Sequence, residues 1–282
     1  LDEVLNDPDV KLVVVCTHAD SHFEYAKRAL EAGEPEGLAV SARRQTGGYG
    51  RQGRAWRSPV GGLYFSMLLR PSAPTAELPT LALAAGLAVR RALARIVRPE
   101  LSDNVRVKWP NDIVVSADAS ELPAGMSLPF GLERRHFKLC GISSEARGGA
   151  VCVGVGVNVF APDGPIDGEA ARDAKNAPAY LSALVDEGCL QGADPESEVL
   201  RAILEEFEPL YRRWNREGFA PLAAEYAASE SLRGNYVDVV DLTGAAIVTG
   251  TVEGVAADGC LLVRDERNGV VVPVASGEAH IV

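Results

Sequence analysis

The chain has 282 residues, with 28 Lys and Arg against 39 Asp and Glu for a formal charge of −11, and 47% of it is hydrophobic. That length and apolar content can bury a full core and suit one large domain plus a small one. The acidic balance argues against non-specific nucleic-acid binding, which draws on a basic surface, but leaves room for a small basic pocket.

In chain order, residues 10–16 (VKLVVVC) predict a strand, and Ser21 to Ala32 a short helix ending at Gly33. Leu38 to Ala42 predicts a second strand leading into a glycine-rich loop, and Leu63 to Leu69 (LYFSMLL) a buried one. The alanine- and leucine-rich Leu81 to Val97 predicts a helix. VRVKW and DIVVS flank Pro110-Asn111 and predict two strands joined by a tight turn. Residues 116–137 carry Pro, Gly and Ser and predict a long, poorly structured insertion. KLCGISSEA and AVCVGVGVNV predict a hairpin about Gly148-Gly149. Asp194-Pro195 is a cap and first turn for a helix whose end Pro209 should kink. Beyond about residue 228, five short β-rich stretches separated by glycine turns predict a small barrel.

Cys16, Cys140, Cys152, Cys189 and Cys260 lie apart without C-x-x-C spacing. They read as reduced thiols, three of them in apolar runs as small core residues, and imply a cytoplasmic protein. The stretches rich in Leu and Val are too short or too interrupted by Arg90, Arg91 and Arg95 for a signal peptide or membrane span. His18 and His22 are four apart, but no carboxylate cluster accompanies them, which argues against a metal site.

Gly48, Gly50 and Gly53 have G-x-G-x-x-G spacing. A dinucleotide turn also needs a helix directly after it and an acid about 20 residues on to hold the ribose. Here Arg54, Trp56, Arg57 and Ser58-Pro59 follow, and no Asp or Glu stands between Gly53 and Glu77. Arg51 and Arg54 set among glycines suit carboxylate or phosphate oxygens instead. A solvated surface loop is the plainer reading.

The glycine loop, VRVKWPNDIVV, KLCGISSEA and VGVGVNV, in this order, resemble biotin protein ligases of the monofunctional type without a DNA-binding domain. The resemblance covers residues 12 to 282. It implies an α/β fold, a mixed sheet with flanking helices, followed by a small SH3-like barrel. The implied domains are residues 1–228 for biotin and ATP and residues 229–282 for the barrel. The implied reaction joins biotin to ATP·Mg²⁺ as biotinyl-5′-adenylate, then passes the biotinyl group to a lysine of a biotin carboxyl carrier domain in a biotin-dependent carboxylase. Such an enzyme binds neither nucleic acid nor membrane, and a homodimer is allowed because the family holds monomers and dimers.

By the same resemblance Arg51 matches the residue that binds the intermediate, and Lys138 the lysine that reaches the biotin carboxylate and the phosphate, with Lys108 as electrostatic support. Ser21, His22, Phe23, Gln45, Tyr49, Gly50 and Gly141 fall on the biotin side. Arg54, Trp56, Asn111, Asp112 and Asn158 fall on the nucleotide side. Each has a structural alternative: Lys108 as a stem packed on the sheet, Asn111 and Asp112 as turn caps, Asn158 as a strand end. The chain departs from the family pattern at His22 and Phe23, where Thr and Asn are usual after Asp20-Ser21. It departs again at Tyr49, where arginine is usual, and at Ser143-Ser144 in a wall that is normally apolar. A non-catalytic biotin-binding or sensing protein and a lipoyl- or octanoyl-type acyl ligase are the alternatives. Residues 1–34 also resemble a nucleotide-binding piece of glucose–fructose oxidoreductase-like dehydrogenases, which reads first as chance similarity and second as a fused gene start.

Overall fold

The computed structural model describes residues 13–17, 36–45, 58–118, 134–162, 177–241 and 243–282, with side chains for all of these except 13–17, 117–118 and 134–135. A seven-stranded mixed sheet has the order β1-β2-β3-β7-β6-β5-β4. Its strands are β1 (Val13–Thr17), β2 (Leu38–Ala42), β3 (Leu63–Leu69), β4 (Val105–Lys108), β5 (Asp112–Asp118), β6 (Arg134–Arg147) and β7 (Ala150–Val157). Strand β1 runs parallel to β2, with Val13 opposite Leu38, and the other ladders of this sheet are antiparallel.

β3 is buried at every position, the continuous apolar run expected of a strand covered on both faces. Helix α1 (Leu81–Ile96) lies over β4, β5 and β6: at Gly86 an added Cβ would touch Ile142, Ile113 and Val107. Helix α2 (Pro195–Glu217) starts where Asp194 accepts from the Ser197 N–H, and packs on α1. Arg91 and Arg95 on α1 pair with Glu206 of α2, while the buried Trp214 indole donates to Thr80 Oγ1 at 2.8 Å. The short α3 (Ala220–Ser229) follows. A five-stranded antiparallel sheet then takes the order β11-β10-β9-β8-β12, from β8 (Tyr236–Val240), β9 (Ala246–Val255), β10 (Leu261–Asp265), β11 (Val271–Val274) and β12 (Glu278–Ile281).

Two expectations need correction. The segment 116–137 is strand at both ends, because Ser116, Ala117 and Asp118 pair with His136, Arg135 and Arg134 and so carry the ladder outward; residues 119–133 between them lie outside the described residues. Pro209 sits inside α2, which runs on to Glu217. A proline there forfeits one backbone bond, and the buried row Phe207, Leu210, Tyr211 and Trp214 on both sides of it holds the helix to the core. Helix α3, with no strong apolar period, has no counterpart in the sequence reading. The predicted helix at Ser21 to Ala32 lies outside the described residues. Gly148 and Gly149 turn between β6 and β7 with φ of 58° and 78°, the left-handed pair a two-residue hairpin wants.

Candidate active site

The β4–β5 turn and the facing edge of β6 bring five of the expected residues together. Gly141 pairs with Asp112 across the ladder. Lys138, two strand positions from Cys140, reaches Asp112 and forms an ion pair with it, Nζ standing 2.8 Å from Oδ1. Asn111 is stapled to β6 twice, its Nδ2 donating to Ile142 O at 2.7 Å and its carbonyl accepting the Ile142 N–H at 2.8 Å. Asn158 donates from Nδ2 to Lys138 O at 3.0 Å. The backbone of Lys138 is locked further by Ala177 O and the Ala179 N–H, each at 2.8 Å. The lysine is therefore presented from a backbone with little freedom, which is what orienting a reacting group requires.

Lys108 ends β4 half-buried. Burial lowers its pKa, Asp112 opposes that, Lys138 adds to it, and Glu278 and Glu230 oppose it. Two cations thus share one low-dielectric corner, with Asp112 between them and Glu278 and Glu230 acting on Lys108. Phosphate or carboxylate oxygens are the ligands that such a pair of lysines can bind.

Trp109, 2% exposed, donates its indole N–H to Gly259 O at 3.0 Å, tying this turn to the β9–β10 turn of the second sheet. Gln45 bridges Ser58, its N–H donating to Ser58 O at 3.1 Å. Ser21, His22, Phe23, Tyr49, Gly50, Arg51, Arg54 and Trp56 lie outside the described residues. The sequence reading missed Glu230 and Glu278 beside Lys108. A single acid flanked by Ser229 and Ser231 carries no spacing signal, and Glu278 offers only its place after Gly277.

The Biotin/lipoate A/B protein ligase family matches residues 17–159, half of the chain. The chain belongs to the biotin/lipoate A/B protein ligase family. Within it the ligase is similar to the biotin–acetyl-CoA-carboxylase ligase of Paracoccus denitrificans, 29% identical over 245 residues that cover 84% of this chain and 88% of that one. Among solved structures it is similar to the biotin protein ligase from Aquifex aeolicus in complex with biotin and ATP. That likeness has a TM-score of 0.69 and 26% identity, covering 95% and 97% of the two chains. The mixed α/β architecture agrees with these neighbours.

A different likeness covers 34 residues, 97% of them identical in the uncharacterized oxidoreductase YhhX of Escherichia coli (strain K12). The ligase spans 10% of that protein and gives it 12% of its own length. Identity at that level is not chance, which corrects the reading of the dehydrogenase-like resemblance as chance similarity.

Proposed function

We propose that the chain is an ATP-dependent biotin ligase that forms biotinyl-5′-adenylate and transfers the biotinyl group to a carrier lysine. The observation that carries this reading is the Lys138–Asp112 pair beside half-buried Lys108, on the segment where the family matches. Likeness over most of the chain runs to biotin ligases, which favours biotin over lipoate within the family.

In the first step a biotin carboxylate oxygen attacks the α-phosphorus of ATP and pyrophosphate leaves. Two anions must meet, so the barrier is largely electrostatic. Lys138 bridges carboxylate and phosphate, Lys108 adds a second positive charge behind it, and Arg51 holds the phosphate from the glycine loop. Asp112 keeps the Lys138 ammonium aimed until the substrate oxygens arrive. Asn111, Asp112 and Asn158 line the nucleotide side, with Arg54 and Trp56 joining them. Ser21, His22, Phe23, Gln45, Tyr49, Gly50 and Gly141 line the biotin side. Magnesium would enter with ATP, held mainly by the phosphates, with Asp112 as the carboxylate at the site able to support it. In the second step the amine of a carrier-domain lysine attacks the acyl carbon, AMP leaves, and the amine gives up a proton as the amide forms.

The deciding experiment is biotin-dependent exchange of labelled pyrophosphate into ATP by the purified chain. Exchange is expected with biotin, lost without it, and reduced at least about 100-fold in Lys138→Ala and Arg51→Ala. Tight biotin binding with no exchange would instead favour a sensing protein.

A further inference from the structure

The register of the large sheet decides which side chains share a face with the Lys138–Asp112 pair. A Cβ added at Gly86 would touch Val107, Ile113 and Ile142, so these three look toward α1. Val155 stands opposite Ile142 and looks the same way. Side chains alternate between faces along a strand, which puts Lys108, Asp112, Gly141, Ser143, Gly154 and Gly156 on the face away from α1. There the ladders align Lys108, Asp112, Gly141 and Gly156 in one row. Ser143, Gly154 and Ser66 form the next row. A ligand held by Lys138 would lie over a floor of glycines, directly against the backbone.

The neighbouring serines of β6 part company here. Ser144 pairs with Val153 and is exposed on the α1 side, whereas Ser143 is half-buried on the lysines' side. Ser66, the other hydroxyl of its row, is fully buried and bonds to Cys152, which leaves Ser143 to meet a ligand. Successive rows on one face lie about 6.8 Å apart. An acid with its carboxylate at Lys138 and its chain along β6 therefore passes Ser143 about five bonds from its carboxyl carbon. A straight alkanoyl chain presents a methylene there, which takes water from the hydroxyl and returns no partner. A ring with hydrogen-bonding atoms returns one.

We propose that Ser143 is a specificity-determining residue: its hydroxyl selects an acid with a polar ring about five bonds from the carboxyl carbon, as biotin has, over a straight-chain acid such as octanoate. The family takes in biotin and lipoate enzymes alike, and this floor favours the first. Along its two rows, apolar side chains come only at Tyr64 on β3 and at Ala42 and Val40 on β2, the far end from Lys138. A long alkyl chain thus finds little to lie against near the reacting end. Lipoate, whose ring offers only weakly accepting sulfur, falls between the two. That the acid is activated here rests on the ligase reading; the floor's preference for a polar ring does not.

The test compares wild type, Ser143→Ala, Ser143→Thr and Ser143→Leu as full chains. Pyrophosphate exchange is followed with biotin and with octanoate, and binding of each acid by titration calorimetry. Ser143→Ala is expected to raise the biotin KM about five- to tenfold with kcat nearly unchanged, and to leave octanoate as it was or bind it better. Ser143→Thr keeps the hydroxyl and stays near wild type. Ser143→Leu shifts preference toward octanoate by about tenfold or more, since it adds apolar surface. A Ser143→Ala chain indistinguishable from wild type, biotin and octanoate weakening together, or tighter biotin in Ser143→Leu overturns the proposal. A chain that exchanges with no acid, yet binds biotin and loses it in Ser143→Ala, sinks the ligase reading alone. Binding of neither acid by wild type overturns both.

Discussion

At the scale of single residues, Lys138 and Asp112 separate stability from chemistry. Their side chains are 24% and 18% exposed and 2.8 Å apart. Removing one partner of such a pair leaves the other charge uncompensated, at a cost of about 1–3 kcal/mol for a half-buried site. Lys138→Ala should therefore lower Tm, and Lys138→Ala/Asp112→Ala should recover most of that loss. Exchange activity should stay lost in both, because the double variant restores electroneutrality and not the donor. Thermal melts beside exchange assays decide it; a double variant no more stable than the single one would mean that the pair is not coupled.

Glu230 makes the opposite separation. Burial pushes its carboxyl up from 4.5 to about 7, against the pull of backbone N–H donors. The folded chain thus keeps this proton to a higher pH than the unfolded chain does. Between those values the unfolded state binds fewer protons, so the group's stability is present below pH 4.5 and lost as pH rises toward 7. The loss amounts to roughly 3 kcal/mol. Glu230→Gln should flatten the fall of Tm between about pH 5 and pH 8 and be the more stable protein at the upper end. A steeper fall in the variant would reverse the sign of this argument.

At the scale of elements, the legible parts were those whose signal is local. Leu38–Ala42 and Leu63–Leu69 match their apolar runs, and Gly148-Gly149 marks its own turn. What escaped depends on partners distant in sequence. Ser116, Ala117 and Asp118 look like loop until His136, Arg135 and Arg134 pair with them. Pro209 breaks a helix on propensity alone, but the buried faces on both sides of it overrule the proline. In the candidate site, Lys138, Lys108, Asn111, Asp112 and Asn158 could be named from motif resemblance. Glu230 could not, because it lies beside Lys108 only through its bridge to Val107, more than a hundred positions away.

The contact between the two sheets is also a matter of elements. Gly259 holds φ of 83°, and a Cβ there would stand 2.8 Å from Leu83 Cδ1 and 2.9 Å from Thr80 Cγ2. Its carbonyl accepts the Trp109 indole. Gly259→Ala combines an unfavourable left-handed backbone with a clash against α1, a destabilisation of about 1–3 kcal/mol. Because the strain falls on the contact that steadies Trp109, exchange should drop together with Tm. Equal Tm and equal exchange in Gly259→Ala would mean that the two sheets do not need this contact.

At the scale of the whole molecule, the chain carries two likenesses. One covers most of its length and is to ligases; the other is a 34-residue stretch shared with an oxidoreductase. Strand β1 meets β2 in a parallel ladder, and a ladder asks only for backbone groups and apolar side chains. The side chains that meet a ligand are more exacting, and the resemblance to biotin ligases puts His22 and Phe23 where Thr and Asn are usual, on the side that takes the biotin ring. Each missing polar partner is worth about 0.5–1.5 kcal/mol. His22→Thr/Phe23→Asn should therefore tighten biotin by about tenfold or more, measured by titration calorimetry, with the ATP affinity unchanged. Unchanged or weaker binding in the double variant would mean that positions 22 and 23 do not meet the biotin ring.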